Sequence, residues 1–233
     1  LQSPVAHAKI KSIDVSRAGK LPGVKDVVTY KEAGPTKFGV SPARYDEVMF
    51  CQDKVRYVGD EIAAVAAVDL ETAMEAVSLI DVEYEPLPVI LDPFEAIREG
   101  AVAIHEDFPN NVCAEVHQEF GNVEEAFKTC DYVRTDRFVN KKQDGAFLEP
   151  QVCVAVYDVS GNLTLTSSTQ TPHYVQRTVA MVLGLPMSRV RVTKPYIGGG
   201  FGPKASASTL ELACCLLAMR TGRPVKMGFS REQ

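Results

Sequence analysis

Four glycines surround one aromatic residue in Gly198-Gly199-Gly200-Phe201-Gly202, and Pro203 and Lys204 follow directly. Glycine tolerates positive φ and lacks a Cβ, so a run of this kind lets main-chain N–H groups approach a ligand closely. Lys204 adds a positive charge beside the run, and a helix start shortly after it would offer further N–H groups to an anion. Nucleotide binding fails on spacing. The dinucleotide fingerprint G-x-G-x-x-G, counted from Gly198, puts Pro203 at its third glycine, and a Walker loop needs glycine before its lysine and Ser or Thr after it, where this chain has Pro203 and Ala205. Close packing of a turn is the competing account of the glycines. On that account Phe201 is a core anchor, whereas in a binding site it is a pocket wall.

A second polar stretch, Ser167-Ser168-Thr169-Gln170-Thr171-Pro172-His173, lies where a strand gives way to a helix. The Gln170 carboxamide carries both donors and an acceptor. His173 reads as a helix-start residue without a nameable partner, and Glu149, before Pro150, as a solvated or salt-bridged carboxylate. His7, His105 and His117 show no metal spacing, and the six cysteines, at 51, 113, 130, 153, 214 and 215, contain no C-x-x-C pair. They read as buried free thiols. Cys214 and Cys215 diverge by about 100° on a helix, which argues against joint chelation. No G-x-S-x-G elbow is present. From these residues alone no catalytic side chain and no protein metal ligand is assigned.

The chain of 233 residues, 45% hydrophobic, is long enough for one large core or two smaller ones. Its net charge of −5 and its lack of a basic cluster disfavour a nucleic-acid partner. Apolar runs fall short of the ~20 residues a bilayer demands, so no membrane partner is expected, and a cytoplasmic location is.

The elements that must position these residues fall into two groups. Strand-like 5–15, a break at Pro22-Gly23, a long loop over 34–53, an apolar strand 62–68, a helix capped by Asp69 and an alternating strand broken by Pro86 and Pro88 make a first α/β unit. Polar residues 105–121 read as a linker. A second unit comprises a helix capped by Asn122, strands over 131–139, 151–159 and 163–168, a helix from Pro172 to Gly184, a strand 188–195, and a final helix within 205–226 that Gly222 caps and Pro224 ends.

In order along the chain, "DKVRYVGDEIAAVAA", "VEYEPLP", "GNVEEAF", "LEPQ", "SSTQTPH", "VLGLPMSRVRV", "GGGFGPK" and "TGRPVK" resemble the molybdenum-binding subunit of the xanthine dehydrogenase and aldehyde oxidase family. Within it, the stretches around "STQTPHYVQ", "PMSRVRV" and "GRPVK" look most like the large subunit of 4-hydroxybenzoyl-CoA reductase. The resemblance implies an α+β chain, with an a/b hammerhead domain over 1–110 followed, over 118–233, by the first part of a molybdopterin-binding domain. It implies that Gln170 hydrogen-bonds an oxo ligand of molybdenum, and that the backbone of Gly199, Gly200, Phe201 and Gly202 lines molybdopterin or its cytosine dinucleotide. It further implies a fragment completed by the remainder of the molybdenum subunit, which would hold the glutamate base, with iron–sulfur and FAD groups on partner subunits. Substrates would be aromatic, heterocyclic or aldehyde compounds. Pro203 stands where the family usually has Gly, Ala205 where purine hydroxylases carry Glu, and Gly145 where many relatives have His. These departures put a purine-type contact in doubt. The rival readings are a noncatalytic assembly module with a structural glycine loop, and an unrelated anion-binding α/β protein.

Overall fold

A computed structural model of the chain describes residues 1–40 and 45–232. They form two compact units, one made of Leu1–Val89 with Gly145–Gln233, the other of Ile90–Asp144.

The larger unit begins with β1 (Ala8–Asp14), α1 (Ser16–Lys20), β2 (Val24–Thr29), α2 (Tyr30–Ala33), β3 (Lys54–Val55), β4 (Ala63–Ala67), α3 (Leu70–Ser78) and β5 (Asp81–Pro86). Strands β3, β1 and β5 make one antiparallel sheet, and β2 and β4 a separate antiparallel ribbon. The expected strand, helix and strand at 62–86 are therefore present, yet the two strands join different sheets. Successive residues of a strand face opposite sides, so the run Ala63-Ala64-Val65-Ala66 feeds two cores at once. Ala63 and Val65 pack with Ala8, Ala18 and Ala76, while Ala64 and Ala66 pack with Val28 and the final long helix. Asp69 caps α3 by accepting from the Thr72 N–H at 2.8 Å, as its sequence predicts. The helix buries Ala76 and leaves Leu70 and Met74 exposed.

The smaller unit contains α4 (Pro93–Ala96) and α5 (Val123–Thr129), the latter capped by Asn122, whose side chain accepts from the Glu125 N–H at 3.0 Å. The strand expected over 131–139 does not form. Tyr132, Val133, Phe138 and Val139 are exposed, and without a neighbouring ladder to take its N–H and C=O groups an isolated extended segment gains nothing over coil.

The rest of the larger unit comprises β6 (Val152–Tyr157), β7 (Leu163–Ser167), α6 (Pro172–Val182), β8 (Val190–Thr193), α7 (Thr209–Thr221) and β9 (Val225–Gly228). The sheet order is β8-β7-β6-β9, with β7 and β8 parallel across the α6 connection and the other pairs antiparallel. The last helix ends as expected, with Gly222 closing α7 in the left-handed conformation and Pro224 preventing its continuation, and strand β9, not singled out by sequence, follows. Every residue from Thr209 to Ala218 is buried, since α7 lies against β6, β7 and β9 on one side and against β2 and β4 on the other. A helix apolar all round requires such surroundings. The Arg220 guanidinium reaches both Asp26 carboxylate oxygens, at 2.5 and 3.2 Å, and ties the end of α7 to β2.

Two further expectations change. Within the loop over 34–53, of which 41–44 lie outside the described residues, Phe38, Met49 and Phe50 are buried and belong to the core around α7. Of the six thiols, Cys51, Cys153, Cys214 and Cys215 are buried, whereas Cys113 and Cys130, on the smaller unit, are exposed. Among the described residues no helix is long and apolar enough to cross a membrane, and no cluster of side chains could hold a metal ion.

Candidate functional site: a main-chain cradle around Gln170

Three segments far apart in sequence meet at one place: residues 145–151 before β6, 167–171 after β7, and 198–206 before α7. Each is a connection flanking a buried strand or helix, which is where a rigid frame can present backbone groups.

Lys204 organises the meeting. Its side chain has no exposure, and its Nζ donates to the Glu149 carbonyl at 2.8 Å and to Glu149 Oε2 at 2.9 Å, over the Phe147 ring at 4.6 Å. A buried ammonium needs this pairing. The Lys204 hydrogen bond, then the Gly198 N–H at 2.8 Å, hold the Glu149 carboxyl below the usual glutamate range. The expectation that Lys204 offers its charge to an anion is thereby corrected: Glu149 already neutralises it. The Lys204 carbonyl in turn accepts from the Gln170 N–H at 2.8 Å and from the Thr169 hydroxyl at 3.2 Å, and the Ala205 carbonyl accepts from Thr171 at 2.8 Å. Gln151 donates to the Pro203 carbonyl at 3.1 Å, and Arg231 donates to the Phe147 and Leu148 carbonyls. Phe147, Gln151, Thr169, Thr171 and Arg231 are not singled out by sequence; all but Arg231 lie within two residues of Glu149 or Gln170.

The glycines divide by cause. Gly199 and Gly202 take φ of +92° and +106°, which side chains resist. Gly198 and Gly200 are required by space, because a Cβ at Gly198 would stand 2.6 Å from Glu149 Cβ, and one at Gly200 would stand 2.5 Å from the Gln170 carboxamide. Phe201 is 74% exposed at φ +51°, so it is no core anchor. It and Ala146 are two of the three non-glycine residues with positive φ among the described residues, and strain of this kind collects at working sites.

The Gly202 N–H donates to Gln170 Oε1 at 3.2 Å, which leaves the carboxamide nitrogen available as a donor. Among the described residues nothing accepts from that nitrogen, nor from the main-chain N–H groups of Gly199, Gly200 and Phe201. Gly200 is buried, so its unmet donor is unusual. The cradle is thus a row of neutral amide donors suited to oxygen atoms of an anionic group, and unsuited to ligating a metal directly. The expected helix start plays no part here: α7 begins at Thr209, and Glu211 caps it by accepting from the Ser208 N–H at 2.9 Å and hydroxyl at 2.5 Å. His173 sits exposed in the first turn of α6.

A family profile described as the molybdopterin cofactor-binding domain matches residues 104–233, and one described as the a/b hammerhead domain of aldehyde oxidase and xanthine dehydrogenase matches residues 1–88. The nicotinate dehydrogenase large molybdopterin subunit of Eubacterium barkeri is 41% identical over the whole chain, which spans 54% of that relative. The nicotine 6-hydroxylase large subunit of Paenarthrobacter nicotinovorans is 36% identical over the whole chain, which spans 29% of it. Among solved structures, quinoline 2-oxidoreductase from Pseudomonas putida 86 superposes with a TM-score of 0.90 at 31% identity, over all of this chain and 30% of that one. Aldehyde oxidoreductase from Desulfovibrio gigas gives 0.85 at 30% identity, over 98% of this chain and 26% of that one. The chain spans about half to about a quarter of these relatives. With both profiles met in order and the fold shared from end to end, the chain belongs to the xanthine dehydrogenase and aldehyde oxidase family of molybdenum hydroxylases, joining an a/b hammerhead domain to molybdopterin-binding sequence in an α+β fold.

Proposed function

We propose that the cradle formed by Gln170 and the backbone of Gly199, Gly200, Phe201 and Gly202 holds the molybdenum end of a molybdopterin cofactor. The observation that carries this reading is the set of amide donors that no described residue satisfies, beside a Gln170 carboxamide whose oxygen is fixed by a hydrogen bond from Gly202. Such preorganised donors stabilise negative oxygen without reorganising. When bound, the cofactor supplies two-electron redox chemistry for oxidation of an aromatic, heterocyclic or aldehyde substrate. The residues of this chain hold and orient it: Gln170 donates to one oxygen, the glycine backbone leaves room for close approach, and the pair Lys204–Glu149 keeps the loop in shape without adding net charge.

On the same reading, the general base and the remaining pterin contacts lie in sequence outside the matched part of the relatives, and iron–sulfur and FAD groups sit on partner subunits. We assign residues 1–110 to the hammerhead part and 118–233 to the cofactor-binding part, with molybdopterin or its cytosine dinucleotide as the form bound and the cytoplasm as the location.

Gly200→Ala tests the proposal. The new methyl would stand 2.5 Å from the Gln170 carboxamide and displaces it, the three nearest atoms all belonging to that side chain. Molybdenum by mass spectrometry and pterin by fluorescence, measured in the assembled enzyme, should both fall at least tenfold while the fold is retained. Unchanged cofactor content would favour the assembly-module reading, in which the glycines serve packing alone.

A further inference from the structure

Strand β4 has the composition of a strand from the middle of a sheet, yet it lies at the edge of one. Its residues Ala63–Ala66 are buried on both faces, and Ile62 to Val68 contains no charge and no proline. Natural edge strands are blunted by such residues or covered, because an apolar edge captures other chains. Fully buried strands read as unbroken apolar runs.

The hydrogen bonds show which groups the edge leaves open. In an antiparallel ladder alternate residues turn both N–H and C=O to one side. The Val68 N–H donates to the Gly23 carbonyl, so even-numbered residues face β2; Ala63 exchanges bonds with Leu1 on the other side. Val65 and Ala67 therefore point their N–H and C=O away from β2. On β9 the Phe229 N–H donates to the Gln151 carbonyl, so odd-numbered residues face β6, and Lys226 and Gly228 point away. These two open edges face one cleft of about 680 Å³, lined by Val65–Val68 and Val225–Gly228, with Glu149–Val152 also contributing. Apolar side chains flank it, since Ala66, Val225 and Met227 belong to the core around α7.

We propose that an extended polypeptide segment of about five residues inserts between β4 and β9, pairing with Val65 and Ala67 on one side and with Lys226 and Gly228 on the other. Insertion gives the order β2-β4-insert-β9-β6-β7-β8 and turns β4 into the interior strand its composition describes. The occupant is a strand with apolar residues at every second position, facing α7, because only a backbone can meet alternating donors and acceptors on two edges together. Relatives have the chain to supply one: 46% of the Eubacterium barkeri subunit lies outside the stretch matched here.

The test uses the 233-residue chain and ten-residue peptides tiled across that unmatched part of the Eubacterium barkeri subunit, read by amide hydrogen exchange. One tile should bind saturably and slow exchange at Val65, Ala67, Lys226 and Gly228 together by at least tenfold. Ala67→Pro, which removes only an outward N–H, should abolish this protection while leaving the exchange of β2 amides unchanged. Should Ala67→Pro fail to fold, the wild-type exchange decides alone. Protection of one edge without the other, no protection by any tile, or protection already present in a self-associated chain would each overturn the proposal.

Discussion

The glycine loop and α7 are neighbours in sequence and opposites in construction. Helix α7 satisfies its own ends and faces: Glu211 caps its start, Gly222 its end, and its side chains are buried against two sheets. The loop over 198–206 is held as firmly, through Lys204, Glu149, Gln151 and Thr171, yet among the described residues the donors of Gly199, Gly200, Phe201 and the Gln170 side chain have no acceptor. The difference separates stability from binding. Side chains fix the loop from behind so that its main chain is free in front.

Substitutions on either side should respond differently. Leu217→Ala, at a fully buried position of α7, should cost about 3 kcal/mol in urea unfolding and loosen the larger unit, because α7 packs against both the β2–β4 ribbon and the four-stranded sheet. Glu149→Ala strips the buried Lys204 of its carboxylate, leaving only a carbonyl. Since Glu149 is itself one-third exposed, the expected loss is about 2 kcal/mol, with increased exchange confined to the loop.

How far these contrasts are legible without a structure depends on the range of the interaction involved. Helix α7 is visible as an apolar run between Ser208 and Gly222, and the hairpin β6–β7 as two alternating runs around a turn, because caps and periodicity are local. Gln170 and the glycine loop stand out through residue type and resemblance. Their meeting does not, since it is made by the buried pair Lys204–Glu149, 55 positions apart. The same long-range character hides the burial of Phe38, Met49 and Phe50 in an irregular segment, and the coil at 131–139, whose alternating pattern finds no ladder.

Acidity sharpens the comparison further. The folded pKa of Glu149 lies below its ordinary value of 4.5, so its contribution is complete above that value and is lost as pH falls through the lower folded pKa. Loop protection should decline on acidification in that window before α7 responds, and Glu149→Gln should remove this limb. The smallest effect is expected from Gln170→Ala, whose side chain is exposed and, among the described residues, bonds only Gly202: under about 0.5 kcal/mol of stability, against a large loss of bound cofactor.

The central claim concerns the place of one charged group. A crystal structure of the assembled enzyme, with anomalous scattering recorded at the molybdenum edge, measures it directly. The account predicts a molybdenum peak in front of the glycine loop, with a cofactor oxygen within about 3 Å of Gln170 Nε2. A peak elsewhere, with the Gln170 carboxamide and the Gly199–Phe201 amides bonded to protein or water, would contradict it.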